Sequence, residues 1–172
     1  MKILHLLQSP FFSGAENVVC QIISAFQDDS NYEMVYCSPK GPIESVLKER
    51  GIKYEPIESL NISEIKRVIK KIQPDYIHAH DMNASFKASL TSSQAKLISH
   101  IHNNNIENRG ISLKSLAFLL PAWKASHIYY VSRSSYKDYF FHKLFERKSS
   151  VLYNVLNIDE LNEKKEKRGK LS

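Results

Sequence analysis

Two His-x-His pairs carry the spacing most suited to chemistry: His78-Ala79-His80, followed at once by Asp81, and His100-Ile101-His102, followed by Asn103-Asn104-Asn105. Residues two apart on a strand share a face, and at a strand end the second histidine can leave the sheet and enter a cleft. His80 and His102 are therefore the site candidates, with a purely structural histidine pair as the plainer reading of each. The asparagines add donors and acceptors suited to a polyhydroxylated ligand, or else serve as turn formers. A metal centre would need further ligands, and the spacing along the chain supplies no convincing set, so no metal is expected.

A third candidate is the loop Ser13-Gly14-Ala15-Glu16, which lies between a short apolar run and a helical pattern. Backbone N–H groups and the dipole at a helix start favour an anion such as a phosphate, and Gly14 permits close backbone approach. A simple turn is the alternative. A dinucleotide fingerprint wants Gly-x-Gly-x-x-Gly; this loop holds one glycine, which argues against a nicotinamide dehydrogenase.

These loops are set by an alternation of strands and helices. Residues 3–7 read as a strand, and Ala15, Val18, Val19, Ile22, Ile23 and Phe26 recur at helical spacing after it. Residues 32–37 give a second strand; Pro42 opens a helix that Gly51 closes, and residues 52–57 form a third strand. Asn61 with Glu64 can make a capping box for a helix that Pro74 stops. Strands follow at 76–79, 97–101, 128–131 and 151–153, with helices predicted over 84–90, 113–123 and 134–145 and a polar loop over 102–110. The pattern predicts an α/β fold with a Rossmann-like parallel sheet, helices on both faces and ligands at the carboxyl ends of the strands.

At 172 residues, with 42% hydrophobic and 24% charged residues, the chain suits one globular domain. Residues 1–158 read as that domain and 159–172 as a charged linker or tail. The net charge of +6 and pI near 9.2 are spread through helices with Glu interleaved, which is a solvated surface more than a nucleic-acid face. Tyr136, Tyr139, Phe140, Phe141 and Phe145 beside basic residues read as an aromatic core helix rather than a base-stacking platform, and no nucleic-acid partner is expected. Cys20 and Cys37 lack a Cys-x-x-Cys partner and read as reduced core thiols of a cytoplasmic protein. The run 3–7 is too short for a secretory signal, and the run 116–120, ended by Pro121, cannot cross a bilayer that needs about 20 apolar residues. The stretch Leu113, Leu116, Phe118, Leu119, Leu120 and Trp123, flanked by Arg109, Lys114 and Lys124, reads as core, with peripheral contact to the inner membrane face as the alternative.

The order of these motifs resembles the N-terminal domain of family 4 glycosyltransferases, retaining enzymes of the GT-B fold. The resemblance rests on Met1-Lys2-Ile3-Leu4-His5, on Ser13-Gly14-Ala15-Glu16 for the family's Gly-Gly-Ala-Glu loop, and on Asp75-Tyr76-Ile77-His78-Ala79-His80 for its Asp-hydrophobic-hydrophobic-His-x-His strand. Ile101-His102, Ala125-Ser126-His127 with Val131-Ser132, and Tyr153-Asn154-Val155 with Asn157-Ile158-Asp159 continue it in order along nearly the whole chain. Ser13 replaces the loop's first glycine, and Val155 stands where the Asn-Gly segment has glycine.

The resemblance implies transfer of a hexose from a nucleotide sugar to a glycan or polyprenyl-linked glycan in surface polysaccharide synthesis, with no cofactor beyond the nucleotide-sugar substrate. It places Gly14 near the diphosphate, His80 against the transferred sugar as the candidate catalytic residue, and His102 and Asn103 on the acceptor side. Ser13, Glu16, Asp81, Ser132 and Asn154 join them as substrate-binding candidates. The family's second domain, with paired glutamates and basic residues for the nucleotide diphosphate, has no counterpart in this sequence. The chain is thus expected to be the acceptor-side half, inactive without a C-terminal nucleotide-sugar domain supplied in cis or in trans. The alternative is a non-catalytic glycan- or partner-binding module of the same fold.

Overall fold

The computed structural model describes residues 1–91, 94–102 and 110–153. Its strands β1 (Lys2–Leu6), β2 (Glu33–Pro39), β3 (Tyr54–Ile57), β4 (Tyr76–His80), β5 (Lys96–Ile101), β6 (His127–Tyr130) and β7 (Ser149–Val151) form a seven-stranded sheet. Every pairing is parallel and the order is β3-β2-β1-β4-β5-β6-β7. Parallel strands need crossover connections, and here helices α1 (Gly14–Ala25), α2 (Ile43–Glu49), α3 (Ile62–Ile72) and α4 (Asp81–Ser89) supply the first four.

Helices on both faces make two cores. On one face Leu4, Leu6, Val35, Ile77 and Ala79 pack with Ile65 and Val68 of α3 and Ala84 and Ala88 of α4. On the other, Leu7 and Tyr36 pack with Val19, Cys20 and Ile23 of α1 and Ile43 and Leu47 of α2. Burial of this kind stabilises by roughly 25 cal/mol per Å² of apolar surface, which is why the apolar periodicity along the chain anticipates the elements. Cys20 and Cys37 are both free and buried, and desolvation pushes their thiols up to about 11 and about 12. They are inert core thiols.

The last strand, expected at 151–153, lies at Ser149–Val151, and three helical elements also differ from the periodicity. The helix expected over 113–123 is two, α5 (Leu113–Ala117) and α6 (Leu119–Lys124). Pro121 falls in the first turn of α6, where the missing N–H would have no intrahelical acceptor in any case. The helix expected over 134–145 ends early, as α7 (Arg133–Asp138), and a 3-10 segment His142–Lys148 follows. At the break Tyr139 takes an extended backbone and is fully buried, its ring set edge-on to Phe118 at 5.1 Å and its hydroxyl donating to the Ser115 carbonyl at 3.3 Å. Core burial of one aromatic thus outweighs helix continuity. Finally, α4 begins directly at Asp81 with no loop after β4.

The Asn61 cap is half of what the pattern suggests. Its side chain accepts from the Glu64 N–H at 2.9 Å, while the Glu64 carboxylate turns to Arg67 and to the N–H of Glu58.

Candidate functional site

After β1 the chain moves outward through β2 to β3, then returns to place β4 on the other side of β1. Such a reversal opens a crevice at the carboxyl ends of the two central strands, the general location of ligand sites in open α/β sheets. Here it holds a cavity of about 250 Å³, lined by residues 7–9 after β1, by 13–16 at the start of α1, and by His80, Asp81 and His102 at the ends of β4 and β5.

On the α1 side, Gly14 is the first residue of a twelve-residue helix, so its opening N–H groups face a site with no intrahelical acceptor. A Cβ added at Gly14 would meet nothing within 4 Å, which leaves room for a ligand against the backbone. The Ser13 hydroxyl does not cap the helix; it donates to the Glu16 carboxylate, and Glu16 is 3% exposed. An acidic group in the first turn interacts favourably with the helix dipole, and Glu16 lines the same cavity.

On the strand side, register decides what the two His-x-His pairs can do. His5 pairs with His78 and His80 pairs with His100 across adjacent strands, so alternation aims His5, His78, His80 and His100 at one face. His102 follows the end of β5. The rings form a continuous cluster: His78 to His80 at 4.3 Å between centroids, His100 to His102 at 4.2 Å, and His5 stacked on His80 at 5.5 Å. His80 is the hub, with Nε2 at 3.2 Å from His5 Nδ1 and Nδ1 at 2.9 Å from His102 Nε2.

Desolvation holds all five neutral. His5 and His100 are lowered to about 3 and His102 to about 4, while His78 and His80 lie well below the ordinary value, by burial first and by neighbouring imidazoles second. As neutral rings they can donate or accept a hydrogen bond to a hydroxyl, and they cannot act as cations toward a diphosphate. Several ring nitrogens have no partner among the described residues: Nε2 of His5 and His78, Nδ1 of His102, and both nitrogens of His100. A buried unsatisfied polar group costs about 1–3 kcal/mol, so this cluster is held at a cost to the fold.

Asp81 closes the site with a second anomaly. Its φ of +69° lies in the left-handed region, and its carboxylate accepts from the His102 N–H at 2.9 Å, fastening the end of β5 to the start of α4. A non-glycine residue held there stores strain, and Asp tolerates the conformation better than most.

The structure thus brings Ser13, Gly14, Glu16, His80, Asp81 and His102 to one cavity. Ser132 does not line it; its hydroxyl accepts from the Ser135 N–H at 3.0 Å in a capping box that starts α7. Asn103 and Asn154 lie outside the described residues. Sequence reasoning missed Gln8 and Ser9 of the lining and the two deeper histidine positions, His5 and His100, as members of one cluster. The signal available was His5 interrupting an otherwise apolar strand.

Among solved structures, Anabaena HepE in complex with UDP-glucose matches 92% of this chain with a TM-score of 0.77 and 21% identity, over 45% of its own length. The lipopolysaccharide outer core galactosyltransferase WaaB in its apo form has a TM-score of 0.67 at 18% identity, covering 91% of this chain and 46% of its own. UDP-GlcNAc 2-epimerase from Neisseria meningitidis bound to UDP-GlcNAc follows at 0.61 and 18%, covering 88% and 45%. These likenesses establish the Rossmann-like lobe of a GT-B architecture, and the chain spans a little under half the length of each. A comparison with curated proteins finds no match. The family model described as glycosyl transferase 4-like matches residues 6–106, a stretch that contains the Ser13–Glu16 loop and both His-x-His strands. With more than half of its length so matched, this chain belongs to the glycosyl transferase 4-like family.

Proposed function

We propose that this lobe is the acceptor-side half of a retaining glycosyltransferase that moves a hexose from a nucleotide sugar to a glycan or polyprenyl-linked glycan. The observation that carries the reading is the cavity at the β1/β4 crevice, where a helix N-terminus with an unobstructed Gly14 faces His80 and His102 across about 250 Å³. That space suits one sugar and part of a diphosphate, and HepE is a neighbour whose structure holds UDP-glucose. Donor chemistry would be completed by a second lobe, since the chain spans 45% of HepE.

In this scheme no resident cofactor takes part; catalysis is positioning and stabilisation of the leaving diphosphate. The α1 N-terminus contributes backbone N–H groups to the diphosphate. His80 has both ring nitrogens engaged by His5 and His102, so it reaches a sugar hydroxyl by exchanging its bond to His102 for one to the ligand. His102 then lines the acceptor side, and a surface stretch around Trp123 offers peripheral membrane contact for a lipid-linked acceptor.

The test is sugar transfer with a panel of nucleotide sugars and polyprenyl-linked glycans, for the chain alone and together with a nucleotide-sugar-binding lobe supplied in cis or in trans. Expected is no transfer alone and turnover with the second lobe, lowered at least 100-fold by His80→Ala. Robust turnover by the chain alone overturns the half-enzyme reading. Acceptor binding that needs no nucleotide sugar, with no transfer in either case, establishes instead a binding module of the same fold.

A further inference from the structure

We propose that His80, His100 and His102 bind one first-row transition-metal ion of the Zn²⁺ class, with its fourth coordination position open to the cavity. Each of the three offers a ring nitrogen, and these ligand atoms lie within 4.8 Å of one another. Tetrahedral zinc with Zn–N bonds of about 2.0–2.1 Å sets its nitrogens roughly 3.3 Å apart, so the set must draw together by at most about 1.5 Å to close on an ion.

Four observations favour this trio. First, His100 is 0% exposed with both ring nitrogens unpartnered, and a metal ion satisfies such an atom where a buried proton does not. Second, His80 Nδ1 and His102 Nε2 already lie 2.9 Å apart, near the separation that two nitrogen ligands of one ion require. Third, His5 is already placed as the supporting contact: when His80 Nε2–H donates to His5 Nδ1, His80 keeps a lone pair on Nδ1, on the side of His102. Fourth, His80 and His102 line the cavity, which supplies an entry path, and the carboxylates of Asp81 and Glu16 line it with them and offset the ion's charge.

The other trio, His5 with His78 and His80, has comparable spacing, but only His80 of it lines the cavity, against both His80 and His102 of the first. An all-imidazole set selects Zn²⁺, Co²⁺, Ni²⁺ or Cu²⁺ over Mg²⁺, Ca²⁺ and Mn²⁺. The ion takes the His80 nitrogen that the transfer scheme assigns to a sugar hydroxyl, so a bound ion and a bound sugar exclude each other there. That exclusion alone rests on the proposed transferase reading; the metal site does not.

The test uses the untagged full chain, stripped with EDTA and titrated with Co²⁺ by visible absorption, then with Zn²⁺ in competition. One ion per chain is expected, with visible bands of tetrahedral Co²⁺ that Zn²⁺ abolishes and a large excess of Mg²⁺ leaves unchanged. His100→Leu and His102→Gln should each weaken binding at least tenfold, and His78→Leu less than threefold. Far-UV circular dichroism in EDTA checks the fold, and His102→Gln, at a partly exposed position, carries the result if His100→Leu does not fold. Absence of saturable Co²⁺ and Zn²⁺ binding overturns the proposal. So does binding that survives His100→Leu and His102→Gln, or that is lost with His78→Leu and kept with His100→Leu. None of these readouts involves sugar transfer.

Discussion

The five clustered histidines make the protein sensitive to acid in a direction that can be worked out. Burial holds His5 and His100 at about 3 and His102 at about 4, against an ordinary value of 6.5. The fold keeps these rings neutral while the unfolded chain takes up protons below about pH 6.5. Stability is therefore fully present above that pH and drains as pH falls toward 4, by up to about 1.4 kcal/mol per pH unit for each group. Urea unfolding in EDTA at pH 7.5, 6 and 5 should show the decline, with His100→Leu reducing its slope by about one proton. A flat profile would mean the rings are hydrated and protonated in the fold. The pairs 78/80 and 100/102 were legible because alternation is local, whereas the union of His5 with them is not, since it depends on a register between strands far apart in sequence. The left-handed Asp81 was equally hidden, as a single aspartate carries no local mark of positive φ.

Elements that bury a regular stripe match the sequence pattern closely: α1 and α3 start and stop within a residue or two of their apolar periodicity. Where the pattern failed, at α5/α6 and at α7, long apolar stretches concealed which aromatic the core would claim: buried Phe118 stands at the first junction and buried Tyr139 at the end of α7. The loop after β1 shows a tighter constraint. The Pro10 carbonyl accepts from the Ile43 N–H at 2.9 Å, and a Cβ added at Gly41 would come within 2.6 Å of Pro10 Cβ and 3.0 Å of its carbonyl oxygen. Gly41→Ala must push the Pro10 backbone, which belongs to the same connection as the cavity lining, and should cost about 1–3 kcal/mol. Thermal unfolding measures that; an unchanged midpoint would show that the loop yields freely. A loss of ligand affinity larger than the loss of stability would show that the loop's position, more than its rigidity, serves the site.

The molecule presents an asymmetric surface. Leu113 is 87% exposed, Trp123 73% and Leu144 70%, all on the α5, α6 and 3-10 portion, with Lys114 and Lys124 near them. None of the described helices is long and apolar enough to cross a membrane. Exposed apolar side chains on elements that also carry lysine suit the surface of an anionic bilayer. Flotation with vesicles containing anionic lipid should recover the protein, and Trp123→Glu with Leu113→Glu should lower recovery severalfold without altering circular dichroism; equal recovery of the variant would place any contact elsewhere. The sheet order has a consequence for biosynthesis. β1 is central, yet its partner β4 comes much later: Lys2 N–H donates to an Asp75 carboxylate 73 residues on. At a ribosomal rate of about 5–20 residues per second, one edge of β1 waits roughly 4–15 s for its neighbour. Throughout that interval the backbone edge of β1 that β4 will pair is open on the nascent chain, available to chaperones and to pairing with a neighbouring nascent chain on the same polysome.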